Sequence, residues 1–151
     1  MYNAAMDIIT NSIETVKSTK RAGSPEGCQC YFLSLDDDWG IKVYYNENVR
    51  DDAHNRQTLA AEHGLGPEVG DTFEVGDKFC YVTEKVELLV PYSDDNEYWD
   101  MIDEMDAEME VELKKVRQEL LDTIGWEFHD NHSGNIGIDA YGKFICIDFG
   151  G

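Results

Sequence analysis

The sequence predicts an α+β fold in which a small antiparallel sheet and several amphipathic helices share one domain. Short runs of β-branched and aromatic residues alternate with turn residues between positions 28 and 83, and again between 136 and 147. Longer stretches carry apolar residues three or four positions apart, at 2–20, 51–63 and 93–121. A chain of 151 residues is long enough for one domain with its own core.

The N-terminal segment, residues 2–20, predicts an amphipathic helix. Its apolar stripe consists of Ala5, Ile8, Ile9, Ile13 and Val16. The segment is too polar for a membrane span or for the apolar core of a secretory signal. We therefore expect this helix to pack on the small sheet.

The sheet is predicted from four strands and one helix. Residues 28–35 and 39–45 form one strand pair around a turn of three aspartates. Residues 72–75 and 79–83 form another, joined by Gly76 and Asp77, which is a strong two-residue hairpin signal. Between the pairs, residues 51–63 have a helix-favouring composition, and Gly64 is a natural stop.

From residue 93 to about residue 121 the apolar period predicts one long helix. Its expected core face comprises Trp99, Ile102, Met105, Met109, Leu113, Val116 and Leu120. The opposite face, which we call the acidic ridge, comprises Asp94, Asp95, Glu97, Asp100, Asp103, Glu104, Asp106, Glu108, Glu110 and Glu112. The ridge is either a solvated helix face or a charged surface whose phosphate-like spacing attracts a nucleic-acid-binding partner protein.

The last part of the chain predicts a hairpin with polar residues at one end. Two apolar runs, residues 136–138 and 144–147, flank a turn in which Gly142 is free to take a positive φ. A hairpin brings the start of its first strand beside the end of its second. Asn135 and Asp148 are therefore expected to meet, with Asp130 on the loop just before. Two carboxylates and an amide suit a hard cation such as Mg²⁺.

These residues also carry a resemblance to a known family. The segment Asp130–Asn135 reads D-N-H-S-G-N, residues 147–150 read I-D-F-G, and together they resemble the catalytic loop and D-F-G element of the protein-kinase-like superfamily. The loop is most similar to the aminoglycoside- and choline-kinase branch, and the chain resembles short phage-encoded kinase-like proteins. The resemblance implies that Asp130 accepts the proton of the substrate hydroxyl, while Asn135 and Asp148 hold Mg²⁺ on ATP. Alternatives are a plain hairpin with turn-type residues, and a metal pair formed by His129 and His132.

The resemblance extends to the predicted sheet. Lys42, in the run W-G-I-K-V, is similar to the strand lysine that binds the α- and β-phosphates. A solvent-facing lysine on an alternating strand is the rival interpretation. Gly23 and Gly27 stand where the family has its phosphate-covering glycine loop, without the G-x-G-x-x-G pattern. Residues around Glu84 to Val86 resemble the hinge whose backbone binds adenine.

The sequence departs from the family in two places. The family's helix carries a glutamate that pairs with the strand lysine, whereas residues 51–63 offer Asn55 and Gln57 centrally and Glu62 at the end. Gln57 could hydrogen-bond Lys42 without neutralising its charge. The resemblance also stops at Gly150, before the helices that bind the phosphate acceptor. The resemblance thus implies a minimal kinase-like domain over residues 1–151, with a helix at 1–20, an N-lobe and hinge at 21–92, and a reduced C-lobe at 93–151.

Composition restricts the partners and the compartment. A formal net charge of −20 disfavours direct binding to nucleic acid or to an anionic membrane. The four cysteines show no disulfide framework, so we expect a cytoplasmic protein, in the host cytoplasm if it is phage-encoded. A reduced C-lobe leaves surface for a second copy of the chain or for a host protein.

Two functional hypotheses follow. The first is a minimal ATP- and Mg²⁺-dependent phosphotransferase acting on a protein, on itself or on a small-molecule hydroxyl. The second is a kinase-like binding protein, weakly active or inactive, that inhibits a host protein through the acidic ridge.

Overall fold

The computed structural model describes residues 2–14, 30–91, 93, 95–129 and 131–149, which form an α+β fold, as predicted. The helices are α1 (Tyr2–Glu14), α2 (Glu47–Glu62), α3 (Glu97–Glu108), α4 (Glu110–Ile124) and a 3₁₀ helix (Ser133–Asn135). The strands are β1 (Cys30–Ser34), β2 (Trp39–Tyr44), β3 (Val69–Val75), β4 (Lys78–Glu84), β5 (Glu87–Leu88), β6 (Ile136–Ile138) and β7 (Phe144–Cys146). Within these ranges no helix combines the length and the apolar character needed to cross a bilayer.

The described residues divide into two compact units. The first, which we call the sheet unit, contains residues of 2–55 and 69–85. The second, which we call the hairpin unit, contains residues 56–68 and those of 86–149. The division falls inside α2, so the two halves of this helix belong to different units.

The sheet unit is built on an antiparallel sheet with strand order β1-β2-β4-β3. The two-residue turn predicted at Gly76 and Asp77 is confirmed, because Val75 pairs with Lys78. Buried Ile13 of α1 packs against Ile41 of β2 in a core cluster that also includes Val43 and Cys80. The expectation that the N-terminal helix packs on the sheet is therefore confirmed.

The first half of α2 is tied to the sheet by a buried arginine. Arg50 is 3 % exposed, and its Nη1 donates to the backbone oxygens of Phe73 and Cys80 at 3.3 and 3.1 Å. Nε and Nη2 donate to the carboxylates of Asp51 and Glu74 at 2.6 and 3.1 Å. Burial lowers the pKa of Arg50, but these two carboxylates more than offset it and the net shift is upward. These contacts join the helix to the β3–β4 hairpin, and removing one of the acceptors would leave a buried charge without compensation.

In the hairpin unit a second sheet has the order β5-β6-β7. The single long helix predicted from residue 93 is wrong, because α3 and α4 are separate helices that meet at Met109, with φ −108° and ψ 21°. No glycine or proline marks this break. The two helices contact different elements, α3 the 3₁₀ helix and α4 strand β7, so tertiary packing divides what is locally one helical pattern.

The predicted core face of this pattern is mostly correct. The buried positions include Ile102, Leu113, Val116 and Leu120. Trp99 is the exception, since it is 59 % exposed and its neighbour Tyr98 is buried instead. A tryptophan at the edge of the stripe is turned outward while the tyrosine beside it enters the core.

Candidate functional site

The C-terminal hairpin forms as predicted. β6 and β7 are antiparallel, with Ile136 opposite Cys146 and Ile138 opposite Phe144. Gly142 has φ 81°, the left-handed conformation that its place in the turn requires. The turn is closed by one Asp139 carboxylate oxygen, which accepts the backbone N–H groups of Tyr141 and Lys143 at 2.8 and 2.9 Å.

The open end of this hairpin carries the two predicted metal ligands. The N–H of Ile147 donates to the backbone oxygen of Asn135 at 3.0 Å, so the strand pairing continues one step beyond β6 and β7. Asp148 is the next residue, and its backbone oxygen accepts from the Cys146 thiol at 3.2 Å. Asn135 and Asp148 therefore lie at the same end of the hairpin. Asp130, the predicted catalytic base, lies outside the described residues.

The loop before β6 is anchored to the helices of the hairpin unit. Ser133 is fully buried, its N–H donates to a carboxylate oxygen of Asp106 at 2.7 Å, and its hydroxyl donates to the backbone oxygen of Ile102 at 3.2 Å. The side-chain amide of Asn131 donates to the backbone oxygen of Leu113 at 2.8 Å. The loop is thus bound to α3 and to α4, which a hairpin made only of turn-type residues does not require.

Asp106 was missed as a contact of this loop, because the sequence assigned it to the outer acidic ridge. The structure corrects that assignment, since Asp106 is half-buried and faces Ser133. It lies four residues after buried Ile102, one helical turn further along. That spacing was the available signal that Asp106 borders the core face of α3.

His132 is engaged inside the loop. Its Nδ1 accepts the N–H of Gly134 at 3.1 Å, so a neutral imidazole carries its proton on Nε2. The amide nitrogen Nδ2 of Asn135 is placed 3.3 Å from Nε2, but a protonated Nε2 needs an acceptor, so the nitrogen and oxygen of this amide exchange places. We therefore assign the amide oxygen of Asn135 to the side facing His132, where it retains a second lone pair.

The alternative metal pair, His129 and His132, has the following surroundings among the described residues. His129 is exposed, and its Nε2 lies 3.9 Å from a carboxylate oxygen of Glu127. Over the part of the chain that the structure describes, no group of three or more His, Cys, Asp and Glu side chains could hold a metal ion. The amide of Asn135 is not one of these side chains, and Asp130 lies outside the described residues.

Phe149, which follows Asp148 in the sequence, packs in the core of the hairpin unit. Phe149 is fully buried and stacks on Trp126 with ring centroids 5.5 Å apart. Arg56, in the second half of α2, donates to the backbone oxygen of Phe149 at 3.1 Å and lies 5.2 Å from the centroid of Trp126. Sequence reasoning missed Arg56 and Trp126, because their partners are far away along the chain and no local pattern marks them.

Lys42 lies on the central strand of the sheet unit. It is 8 % exposed and stands opposite Phe32 on β1 and Tyr81 on β4. Its Nζ is 5.6 Å from the centroid of the Tyr81 ring. Burial raises the pKa of Tyr81, and the positive charge of Lys42 acts in the opposite direction. The solvent-facing interpretation of Lys42 is wrong, because both faces of β2 are covered.

The other predicted nucleotide contacts have these surroundings. Gln57 is fully buried and donates to the backbone oxygen of Pro67 at 3.1 Å, within the hairpin unit. Glu84 ends β4, and its backbone oxygen accepts from the hydroxyl of Thr83 at 3.3 Å. Val86 is half-buried. Gly23 and Gly27 lie outside the described residues.

No protein-family model matches this chain, and no curated protein or solved structure is similar enough to match it. The functional assignment therefore depends on the residues described above and on their geometry.

Proposed function

We propose that the protein is a minimal kinase-like phosphotransferase that binds ATP with Mg²⁺ and transfers a phosphoryl group to a hydroxyl. The acceptor is a protein, the chain itself or a small molecule. The observation that carries the proposal is the backbone hydrogen bond from Ile147 to Asn135, which brings Asn135 and Asp148 to one end of the hairpin.

The donor groups fit this assignment. One amide and one carboxylate make the sparse ligand set that Mg²⁺ accepts when substrate phosphates and water complete its octahedron. When bound, the ion neutralises charge on the phosphates. By the resemblance alone, Lys42 is assigned to the α- and β-phosphates and Asp130 to the acceptor hydroxyl.

Metal-dependent nucleotide binding is the first test. Without Mg²⁺, Asp148 repels the phosphates, so ATP with Mg²⁺ raises the melting temperature and ATP with a chelator does not. At a nucleotide concentration about 100 times the dissociation constant, the free energy of unfolding rises by about 2.7 kcal/mol. For a chain of this size the melting temperature then rises by roughly 5–10 °C. Asp148→Ala abolishes the difference. Asp139→Ala, at the closed end of the same hairpin, is the control: it lowers the melting temperature without ligand but keeps the difference between Mg²⁺ and chelator.

Phosphoryl transfer is the second test of the same proposal. Incubation with γ-labelled ATP and Mg²⁺, alone and with cell lysate, reports label on the chain or on an acceptor. Asp130→Ala retains nucleotide binding and loses transfer, because its assigned role is at the acceptor hydroxyl. Equal thermal shifts with Mg²⁺ and with chelator, or no shift in either condition, would refute the nucleotide site.

A second candidate function is a protein-binding role for the acidic ridge. Apart from half-buried Asp106, the described ridge residues are exposed, namely Asp95, Glu97, Asp100, Asp103, Glu104, Glu108, Glu110 and Glu112. A surface of one sign steers an oppositely charged partner and is screened by salt. The partner in this proposal is a protein with a basic surface.

A further inference from the structure

We infer that Asp106 is a positioning residue for the candidate metal site, holding the loop so that Asn135 presents its amide oxygen correctly. The inference rests on the proposed function, in which Asn135 is a ligand of Mg²⁺. Asp106 is thereby no longer counted in the acidic ridge, since its carboxylate has a separate role in the loop.

Two hydrogen bonds from Ser133 attach the loop before β6 to helix α3. The carboxylate of Asp106 accepts the N–H of Ser133 at 2.7 Å, a short, charge-assisted hydrogen bond. One turn earlier on α3, the backbone oxygen of Ile102 accepts the hydroxyl of Ser133 at 3.2 Å. Since Ser133 is fully buried, water cannot replace either partner without opening the packing.

The position of Ser133 is transmitted directly to Asn135. The two residues are the first and last of the 3₁₀ turn, which is closed by the N–H of Asn135 donating to the backbone oxygen of His132 at 2.9 Å. Gly134 between them has no room for a side chain, because a Cβ there would lie 2.6 Å from the hydroxyl oxygen of Tyr98. A displacement of Ser133 therefore shifts Asn135.

Mg²⁺ makes the site sensitive to such a shift. It requires near-octahedral geometry with short ligand distances, and residues that orient a ligand typically contribute about 10–100-fold to metal affinity. Loss of the Asp106 carboxylate leaves the buried N–H of Ser133 without its acceptor. Asparagine keeps a side-chain oxygen at this place and removes only the charge.

The experiment compares Asp106→Ala and Asp106→Asn with Asp103→Ala, an exposed acidic residue of the same helix. The first readout is the Mg²⁺ concentration that gives half of the nucleotide-dependent thermal shift. We expect it to rise about tenfold or more in Asp106→Ala, and to stay within about threefold of wild type in the other two. The second readout is amide hydrogen exchange of residues 131–135, which accelerates only in Asp106→Ala.

The outcomes separate this inference from the proposed function. The inference is overturned if Asp106→Ala has the same Mg²⁺ requirement as Asp103→Ala. It is also overturned if Asp106→Asn is as impaired as Asp106→Ala, because the charge of Asp106 would then matter and not its acceptance of the Ser133 N–H. If Asp106→Ala does not fold, Asp106→Glu takes its place, because it keeps the charge and displaces the acceptor of the Ser133 N–H by one methylene group. We expect it to raise the Mg²⁺ requirement, and a requirement equal to that of Asp103→Ala overturns the inference. If wild-type protein binds no nucleotide, the proposed function and the metal role fail together, and exchange alone decides whether Asp106 holds the loop.

Discussion

At the scale of single residues, burial in the core of the sheet unit changes the pKa of the Cys80 thiol. Its side chain is fully buried beside Ile13, Ile41 and Val43, and burial raises the pKa of the thiol from 9.0 to about 11. Burial also raises the pKa of Tyr81. Between pH 9 and pH 11 the unfolded chain loses the Cys80 proton while the folded chain keeps it.

A fall in stability at alkaline pH follows from this difference. Because the unfolded state binds fewer protons in this window, the free energy of unfolding decreases as pH rises, by up to about 1.4 kcal/mol per pH unit for each such group. Urea unfolding of wild type and Cys80→Ala between pH 8 and pH 11 measures it. The variant starts from a lower stability, since a cavity is left, but loses less between pH 9 and pH 11. Parallel curves for the two proteins would contradict the prediction.

At the scale of elements, the contact between the 3₁₀ turn and α3 determines what the loop tolerates. A Cβ on Gly134 would lie 2.6 Å from the hydroxyl oxygen of Tyr98 and 2.9 Å from two ring atoms of His132. Tyr98 is itself buried in a cluster with Val90 and Ile102, so it has little freedom to move away. The glycine of the D-N-H-S-G-N segment is thus required by packing, whatever the chemistry of the loop.

We therefore expect Gly134→Ala to destabilise the protein by about 1–3 kcal/mol and to weaken Mg²⁺-dependent nucleotide binding. Adding Tyr98→Phe removes the nearest clashing atom and recovers part of both losses. Gly142→Ala is the matched control, because its positive φ strains the far turn where no atom lies within 4 Å. It lowers thermal stability and leaves the Mg²⁺ dependence unchanged. Thermal unfolding with and without ATP and Mg²⁺ measures all four proteins.

At the scale of the whole molecule, the net charge of −20 is the dominant property. Glu104, Glu108 and Glu112 follow one another at intervals of four across the junction of α3 and α4, and all are exposed. Glu110 differs from them, since it pairs with Lys114 at 3.0 Å. A test of the ridge therefore leaves Glu110 and Asp106 unchanged.

Replacing Glu104, Glu108 and Glu112 together by Gln relieves like-charge repulsion, which costs about 0.2–0.5 kcal/mol for a pair within one helix such as Glu104 and Glu108. We expect the variant to be slightly more stable at low salt and to gain less from added salt, because the Debye length is about 10 Å at 0.1 M. Thermal unfolding across a salt series measures this effect. A variant less stable than wild type at low salt would contradict it.

The same triple variant tests the second candidate function. If the ridge binds a basic partner, immobilised wild-type protein retains that partner from lysate in a salt-sensitive manner and the variant does not. Equal retention by both proteins would remove the ridge as a binding surface. Nucleotide binding is expected to be unchanged, because the three glutamates are exposed and none contacts the loop in the interactions described above.

The α+β class, the two-residue turn at Gly76 and Asp77, and the hairpin that joins Asn135 to Asp148 could be predicted from the sequence alone. Each depends on residues close together in the chain, where the period of apolar residues and the chemistry of turns decide the structure. The start of α2 was placed too late for a local reason as well. Asn46 accepts the N–H of Val49 at 3.2 Å and caps the helix, a signal that the helix-favouring composition of 51–63 obscured.

Tertiary structure alone decided where the helical pattern breaks, which acidic residue leaves the ridge, and that Lys42 is buried. The break at Met109 follows from two helices packing on different elements, and Asp106 meets Ser133 across 27 residues of chain. Burial of Lys42 depends on two neighbouring strands and on what covers the sheet. A local sequence pattern shows which residues are compatible with a helix break, a buried position or a loop contact. The residues that stabilise these positions come from distant segments, so they are set only by tertiary packing.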